Sequence, residues 1–339
     1  MPAFATLLLG VVLFGCTNPG STPASPTNPS PGLERSPGPG AGPSLAVTET
    51  TRLTQVIAAP EFADFGELIF PSSDRITQTM TVADTGRLLP YHSNIDPTEV
   101  ATTLNAMLAG VREGGVTFHP LYTADEVAGD SAKGEVGLFL FRGEPNAPFA
   151  IVAPGGGFGY VGSIHEGFPY AQTIAQHGHN AFVLTYRVGG GGRPATEDLA
   201  HAIDYIFAHQ EALRVSTDGY SLWGSSAGAR MAANLGSHGT AAFGEDSRPR
   251  ARTVVMAYTG HSDHTADDPA TFAVVGSHDG IANPATMRTR IDTLDRLGIP
   301  TEFHVYEGIG HGFGLGTGTI AEGWIDKAIS FWEAQIDES

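Results

Sequence analysis

Gly224-Ser225-Ser226-Ala227-Gly228 is a Gly-x-Ser-x-Gly pattern. A serine at its centre can be a nucleophile when the chain makes a strained strand-to-helix turn there. Glycines two residues either side relieve the backbone crowding of that turn. In a chain with 44 glycines the pattern alone says little. Its context says more: a strand-like segment at 220–223 precedes it and a helical segment at 227–235 follows. Ser225 is a rival, but the glycine spacing centres on Ser226. The plain alternative for Ser226 is a helix N-cap.

A serine hydroxyl needs a base, and the base needs an orienting acid. Behind such a turn the partners follow in the order serine, acid, histidine. Of the 13 histidines, His311 alone sits in a glycine-rich loop (Gly308-Ile309-Gly310-His311-Gly312) just past a late strand at 302–306. Asp279 follows the preceding strand, 272–275, and is placed to orient the imidazole. Asp267 and Asp268 precede that strand and fall at the wrong end. Developing negative charge needs backbone N–H donors. Ala227 supplies one candidate. Gly156 and Gly157, in the run Pro154-Gly155-Gly156-Gly157-Phe158, supply the other. A nucleotide-binding reading of that run lacks both the Gly-x-Gly-x-x-Gly spacing and a Walker lysine.

These residues need a scaffold that alternates strands and helices. Strands are expected at 116–122, 136–142, 149–153, 181–186, 220–223, 253–257, 272–275 and 302–306. Helices are expected at 97–108, 168–177, 196–213, 227–235, 284–297 and 320–336. Asp96 and Asn283 serve as N-caps. The alternation predicts an α/β fold: a mainly parallel sheet flanked by helices. The spacing between the strands at 253–257 and 272–275 leaves no room for a large lid. Apart from the helix at 97–108, residues 45–114 carry no clear pattern.

Together these features make residues 115–339 resemble the acetyl-esterase and carbohydrate-esterase side of the α/β-hydrolase superfamily. Ala153 to Tyr160 (APGGGFGY) is similar to that group's oxyanion loop. His165-Glu166-Gly167-Phe168-Pro169 is similar to the lead into its first helix, and Phe182 to Arg187 (FVLTYR) to its fourth strand. Pro194 and Asp198 resemble the start of its next helix. Pro154 departs from the histidine many relatives carry. The resemblance implies a serine carboxylic ester hydrolase acting on short acyl groups, with acetylated or feruloylated plant polysaccharide among the group's substrates. It implies no cofactor. Phe158, His165 and Glu166, beside the oxyanion loop, are candidate substrate-binding residues. A serine peptidase of the same fold is the alternative, though such enzymes usually carry a large extra domain. A non-catalytic binding module is the third class. The segment His261-Ser262-Asp263-His264 offers too few converging ligands for a metal site.

Composition sets outer bounds. Thirty-six acidic residues against 18 basic ones give a formal net charge of -18. Such a surface repels nucleic acid. The one cysteine, Cys16, closes a 13-residue apolar run, 3–15. That run is short for a membrane span and suits a signal-peptide core. Leu13-Phe14-Gly15-Cys16 resembles a bacterial lipobox, although no Lys or Arg precedes the run and Phe14 is bulky. A lipoprotein signal is the leading reading, ahead of a plain secretory signal and a buried segment. Residues 17–44 hold eight of the 23 prolines and read as a tether. The organisation expected is therefore a signal at 1–15, a tether at 16–44 and a catalytic domain at 45–339, exported and membrane-anchored. Cys16→Ser should move the protein from the membrane to the soluble fraction, with catalytic activity intact. An unchanged membrane fraction would refute lipidation at Cys16.

Overall fold

A computed structural model of the protein describes residues 45–337. The signal, Cys16 and tether expected at 1–44 lie outside the described residues. No helix among the described residues is long and apolar enough to cross a membrane.

Eight strands form one sheet: β1 (Val116–Pro120), β2 (Gly137–Phe141), β3 (Pro148–Ala153), β4 (Asn180–Thr185), β5 (Ser216–Ser225), β6 (Thr253–Ala257), β7 (Ala270–Gly276) and β8 (Thr301–Tyr306). Their order across the sheet is β1-β2-β4-β3-β5-β6-β7-β8. Only β2 runs against its neighbours. Strands β2, β4, β6 and β7 are buried along their whole length and read as continuous apolar runs, as strands covered on both faces must.

The helices are α1 (Leu53–Ile57), α2 (Pro97–Glu113), α3 (Ala124–Gly129), α4 (Phe168–Gln176), α5 (Gly192–Ala208), α6 (Gln210–Leu213), α7 (Ala227–His238), α8 (Pro284–Arg296) and α9 (Trp324–Asp337). Helices α2, α4 and α9 pack together on one side of the sheet, and α5 packs on α7 on the other. The predicted caps are in place. Asp96 accepts a hydrogen bond from the Thr98 N–H at 2.8 Å, and Asn283 accepts one from the Ala285 N–H at 2.9 Å. Both helices carry proline in the first turn, where its missing N–H costs nothing.

Several boundaries differ from the sequence expectation; β5 begins at Ser216 and not at 220, and α7 runs on to His238. The helix expected at 97–108 continues to Glu113. The helix expected at 196–213 begins at Gly192 and breaks after Ala208. The closing helix starts at Trp324 and not at 320, because Gly323 sits at φ 78°, outside helical geometry. Residues 45–95 fold as α1 plus short 3₁₀ turns, and Leu53, Val56, Phe62, Ile69, Val82 and Leu88 bury their side chains in the common core. The β6–β7 connection is the short loop 258–269, with no lid inserted. The carboxyl ends of β3, β5, β6, β7 and β8 lie along one edge of the sheet. That edge is where ligands bind in parallel α/β architectures.

Candidate active site

Strand β5 ends at Ser225 and α7 begins at Ala227, so the whole turn falls on Ser226, at φ 50° and ψ −112°. A non-glycine residue in that region is strained. Two close approaches hold it there. A side chain on Gly224 would run into the Gly228 backbone, and one on Gly228 into the Ala153 carbonyl. The Ser226 N–H donates to the Ala257 carbonyl at 2.8 Å, tying the turn to the end of β6. Ser225 is fully buried, with its hydroxyl 3.4 Å from that of Tyr170, facing away from the cleft.

The Ser226 hydroxyl lies 2.9 Å from His311 Nε2, and His311 Nδ1 lies 2.8 Å from Asp279 Oδ2. The other Asp279 oxygen accepts from the N–H groups of Ile281 and Ala282, at 2.8 and 2.7 Å. The carboxylate is thus fully hydrogen-bonded and its side chain is sealed from water. This pattern fits the tautomer with the proton on Nδ1, which leaves Nε2 free to accept the serine proton. Asp268 sits at the far end of β7, paired with buried Arg290 at 2.5 Å. The three residues picked out by the sequence are therefore brought into one chain of hydrogen bonds.

The loop after β3 runs through Gly156 at φ 135°, Gly157 at φ 63° and Phe158 at φ 60°. Among the described residues the N–H groups of Gly156, Gly157 and Ala227 have no hydrogen-bond partner, as donors awaiting an oxyanion require. The Gly155 N–H is different: it donates to Glu166 Oε2 at 2.7 Å.

His165 and Glu166 were expected to line the substrate pocket, and the structure corrects this. Both side chains are buried beneath the loop, with Glu166 fully enclosed. Besides Gly155, the Glu166 carboxylate meets His92 Nε2 at 3.1 Å and accepts from the Tyr258 hydroxyl at 2.7 Å. Burial pushes its pKa up, but the charge and hydrogen bond of His92, then His165 and Tyr258, outweigh this and hold it at about 2. The carboxylate is ionised. Tyr258 is itself at φ 39°, and its ring stands edge-on to His311 at 5.2 Å. His165 packs edge-on against His92 at 5.5 Å and reaches the Gly312 carbonyl at 3.1 Å. Burial, followed by the nearby His92, lowers its pKa to about 4.

Sequence reasoning missed a strap at Tyr91–His92–Ser93. The Ser93 hydroxyl donates to the His311 carbonyl at 2.7 Å, and its N–H to the Gly312 carbonyl at 2.9 Å. The His92 ring joins the Tyr160 hydroxyl at 2.9 Å. Gly312, at φ 70°, has no room for a side chain against His92. Nothing in the pattern of residues 45–95 signals this contact. The best clue is a Tyr-His-Ser string just before the Asp96 cap.

The site opens into a cleft of about 440 Å³ bordered by Phe158, Ser226, Arg230, Tyr258, Ile281 and His311. Phe158, a candidate substrate-binding residue from the sequence, is at the border of this cleft. A larger hollow, about 550 Å³ near Phe65, Phe70 and Tyr186, contains none of the three reacting side chains. In the 261–264 segment, Asp263 pairs with His238 at 2.7 Å, and His264 turns to the Ser262 carbonyl at 3.1 Å. Among the described residues no cluster of three or more His, Cys, Asp or Glu could hold a metal.

No protein-family model matches the chain, and no curated protein matches it in sequence. Solved structures do match. A deep-sea metagenomic α/β-hydrolase enzyme, MGS-M1 from the Medee basin, aligns with TM-score 0.55 at 21% identity, covering 66% of this chain and 98% of its own. An acetyl ester-xyloside bifunctional hydrolase from Caldicellulosiruptor lactoaceticus aligns with TM-score 0.55 at 21% identity, covering 64% and 96%. The esterase Est2 of Thermogutta terrifontis aligns with TM-score 0.56 at 18% identity, covering 66% and 92%. The chain has the α/β-hydrolase fold.

Two predictions follow from these buried groups and from buried His261. Glu166→Ala strips the acceptor from Gly155, Tyr258 and His92. It should lower kcat for 4-nitrophenyl acetate by about 10²-fold, the scale of a lost oxyanion donor, with KM nearly unchanged. Glu166→Gln, which keeps a carbonyl for Gly155, should lose far less. Equal kcat in wild type and Glu166→Ala would remove the loop-holding role. Second, His165 and His261 take up protons near 6.5 when unfolded but only near 4 when folded. The unfolded chain therefore binds more protons in that window, so the stabilisation these rings provide is lost as pH falls from about 6.5 towards 4. His261→Gln should flatten the decline of Tm between pH 7 and 5. An unaltered slope would count against it.

Proposed function

We propose that this protein is a serine carboxylic ester hydrolase that works through an acyl-enzyme on short-chain esters. The observation that carries the reading is the Ser226–His311–Asp279 chain, with links of 2.9 and 2.8 Å, built on a strained turn at the carboxyl edge of the sheet. His311 Nε2 takes the Ser226 proton as the hydroxyl oxygen attacks the ester carbonyl. The tetrahedral oxyanion sits between the N–H of Ala227 and that of Gly156 or Gly157. His311 then gives the proton to the departing alcohol. A water, deprotonated by the same imidazole, hydrolyses the acyl-enzyme. Asp279 holds the imidazolium through its hydrogen bond to Nδ1.

Acetyl groups, including those on carbohydrate, are the substrates we propose. What supports this is the open cleft, together with fold neighbours described as an acetyl ester-xyloside hydrolase and an esterase. We further propose that the chain is exported and anchored through a lipid on Cys16, on the strength of its apolar run and lipobox-like end.

A fluorophosphonate should label one residue, Ser226, and abolish activity at one equivalent. Ser226→Ala should block labelling while leaving Tm near that of wild type. Ser225→Ala should be much milder, because that hydroxyl points to Tyr170. A label found on Ser225, or full esterase activity in Ser226→Ala, would overturn the mechanism. Turnover of a dipeptide anilide in place of nitrophenyl acetate would favour a peptidase.

A further inference from the structure

The cleft at Ser226 carries one permanently charged group, Arg230. It stands one turn into α7, with its backbone N–H donating to the Ser226 carbonyl at 3.2 Å. That places its Cα about 6 Å along the helix from Ser226, at a rise of about 1.5 Å per residue. Past Arg230 and Gly260 the cleft joins a second hollow of similar size, about 440 Å³, which shares both residues. The other ions of that hollow are already matched. Arg193 pairs with Glu197 at 3.0 Å, and Asp263 with His238 at 2.7 Å. His261, at the same wall, is held neutral near pH 7 by burial first, then by the charges of Arg290 and Arg230. The Arg230 guanidinium has no ion pair or side-chain hydrogen bond among the described residues.

This stands out in a chain of net charge -18, where carboxylates outnumber cations two to one. The general field of such a protein turns anions away, but that field is screened over about 8 Å at physiological salt. An exposed guanidinium at the border of the cleft therefore acts locally. Its planar fork matches a carboxylate with two parallel hydrogen bonds. The remaining cleft wall, of glycines, Phe158, Tyr258 and Ile281, offers only neutral contacts.

Building on the ester-hydrolase reading, we propose that Arg230 is an anion subsite at the junction of the two hollows. The substrate is then an ester whose acyl or alcohol half carries a carboxylate a few bonds from the scissile carbonyl. The ester is cleaved as described above, and the carboxylate takes no part in the bonds that change. Arg230 sets specificity by binding and does not touch the reacting atoms.

Two ester pairs test this. 4-Acetoxybenzoate against phenyl acetate puts the charge on the alcohol half. Mono-4-nitrophenyl succinate against its methyl ester puts it on the acyl half. The quantity read is the ratio of kcat/KM for charged over neutral ester. Its change between wild type and variant cancels the intrinsic reactivities of the esters. Arg230→Gln should lower the ratio about tenfold for at least one pair, through KM and not kcat, the scale of one charge-assisted hydrogen bond. Arg230→Lys should restore part of it, and 0.5 M salt should shrink the wild-type ratio. A ratio that Arg230→Gln leaves unmoved for both pairs overturns the subsite while the ester-hydrolase reading stands. Absence of turnover for all four esters overturns both.

Discussion

A carboxylate removed from water must be met by donors on every side, or the fold that encloses it does not form. Glu166 imposes that condition here. Its two oxygens collect the Gly155 N–H, the His92 ring and the Tyr258 hydroxyl. Those donors come from the glycine loop after β3, the strap ahead of α2 and the end of β6. Satisfying one charge therefore fixes three separate pieces of backbone. Each of them touches the reacting groups. The loop aims Gly156 and Gly157, Tyr258 stands against the His311 ring, and the strap carries Ser93, which holds the His311 carbonyl. The network is stabilising only when complete, and its completeness is what makes the site rigid.

Strain at Ser226, Phe158 and Tyr258 is concentrated around one cleft, and packing explains how it persists. The parallel strands deliver Ser226, Asp279 and His311 to the same edge, but they do not set the last ångström. That is done by close approaches where only glycine fits, such as Gly228 over Ala153 and Gly276 beneath Ile309. The glycines of the motif therefore set the position of Ser226.

Much of this was legible from residue types. Every strand from β1 to β8 was foreseen to within a few residues, most plainly β2, β4, β6 and β7, which are buried along their whole length and read as uninterrupted apolar runs. The strand–turn–helix context singled out Ser226. The order of elements did the same for Asp279 and His311. Legibility stopped at residues whose surroundings are set from afar. Glu166 and His165 are polar residues beside a glycine loop, and sequence cannot tell a pocket wall from a buried brace; the closing distances to His92 and Tyr258 decide it. The segment 45–95 gave no period because it consists of 3₁₀ turns too short to show one. Its role comes from contacts with loops far along the chain.

That distance has a consequence for the newborn protein. Ser93 and the His311 carbonyl it holds are separated by 218 positions in sequence. Synthesis runs from the amino end, so the strap is made first and must wait for its counterpart while the residues between them are added. Until then the serine turn can form and Asp279 and Ser93 are already made, but the imidazole that joins them is not. Under the proposed mechanism, a chain made only as far as the serine turn lacks its base, and the same long-range closure that ties Ser93 to His311 completes the hydrogen-bonded chain from Ser226 to Asp279.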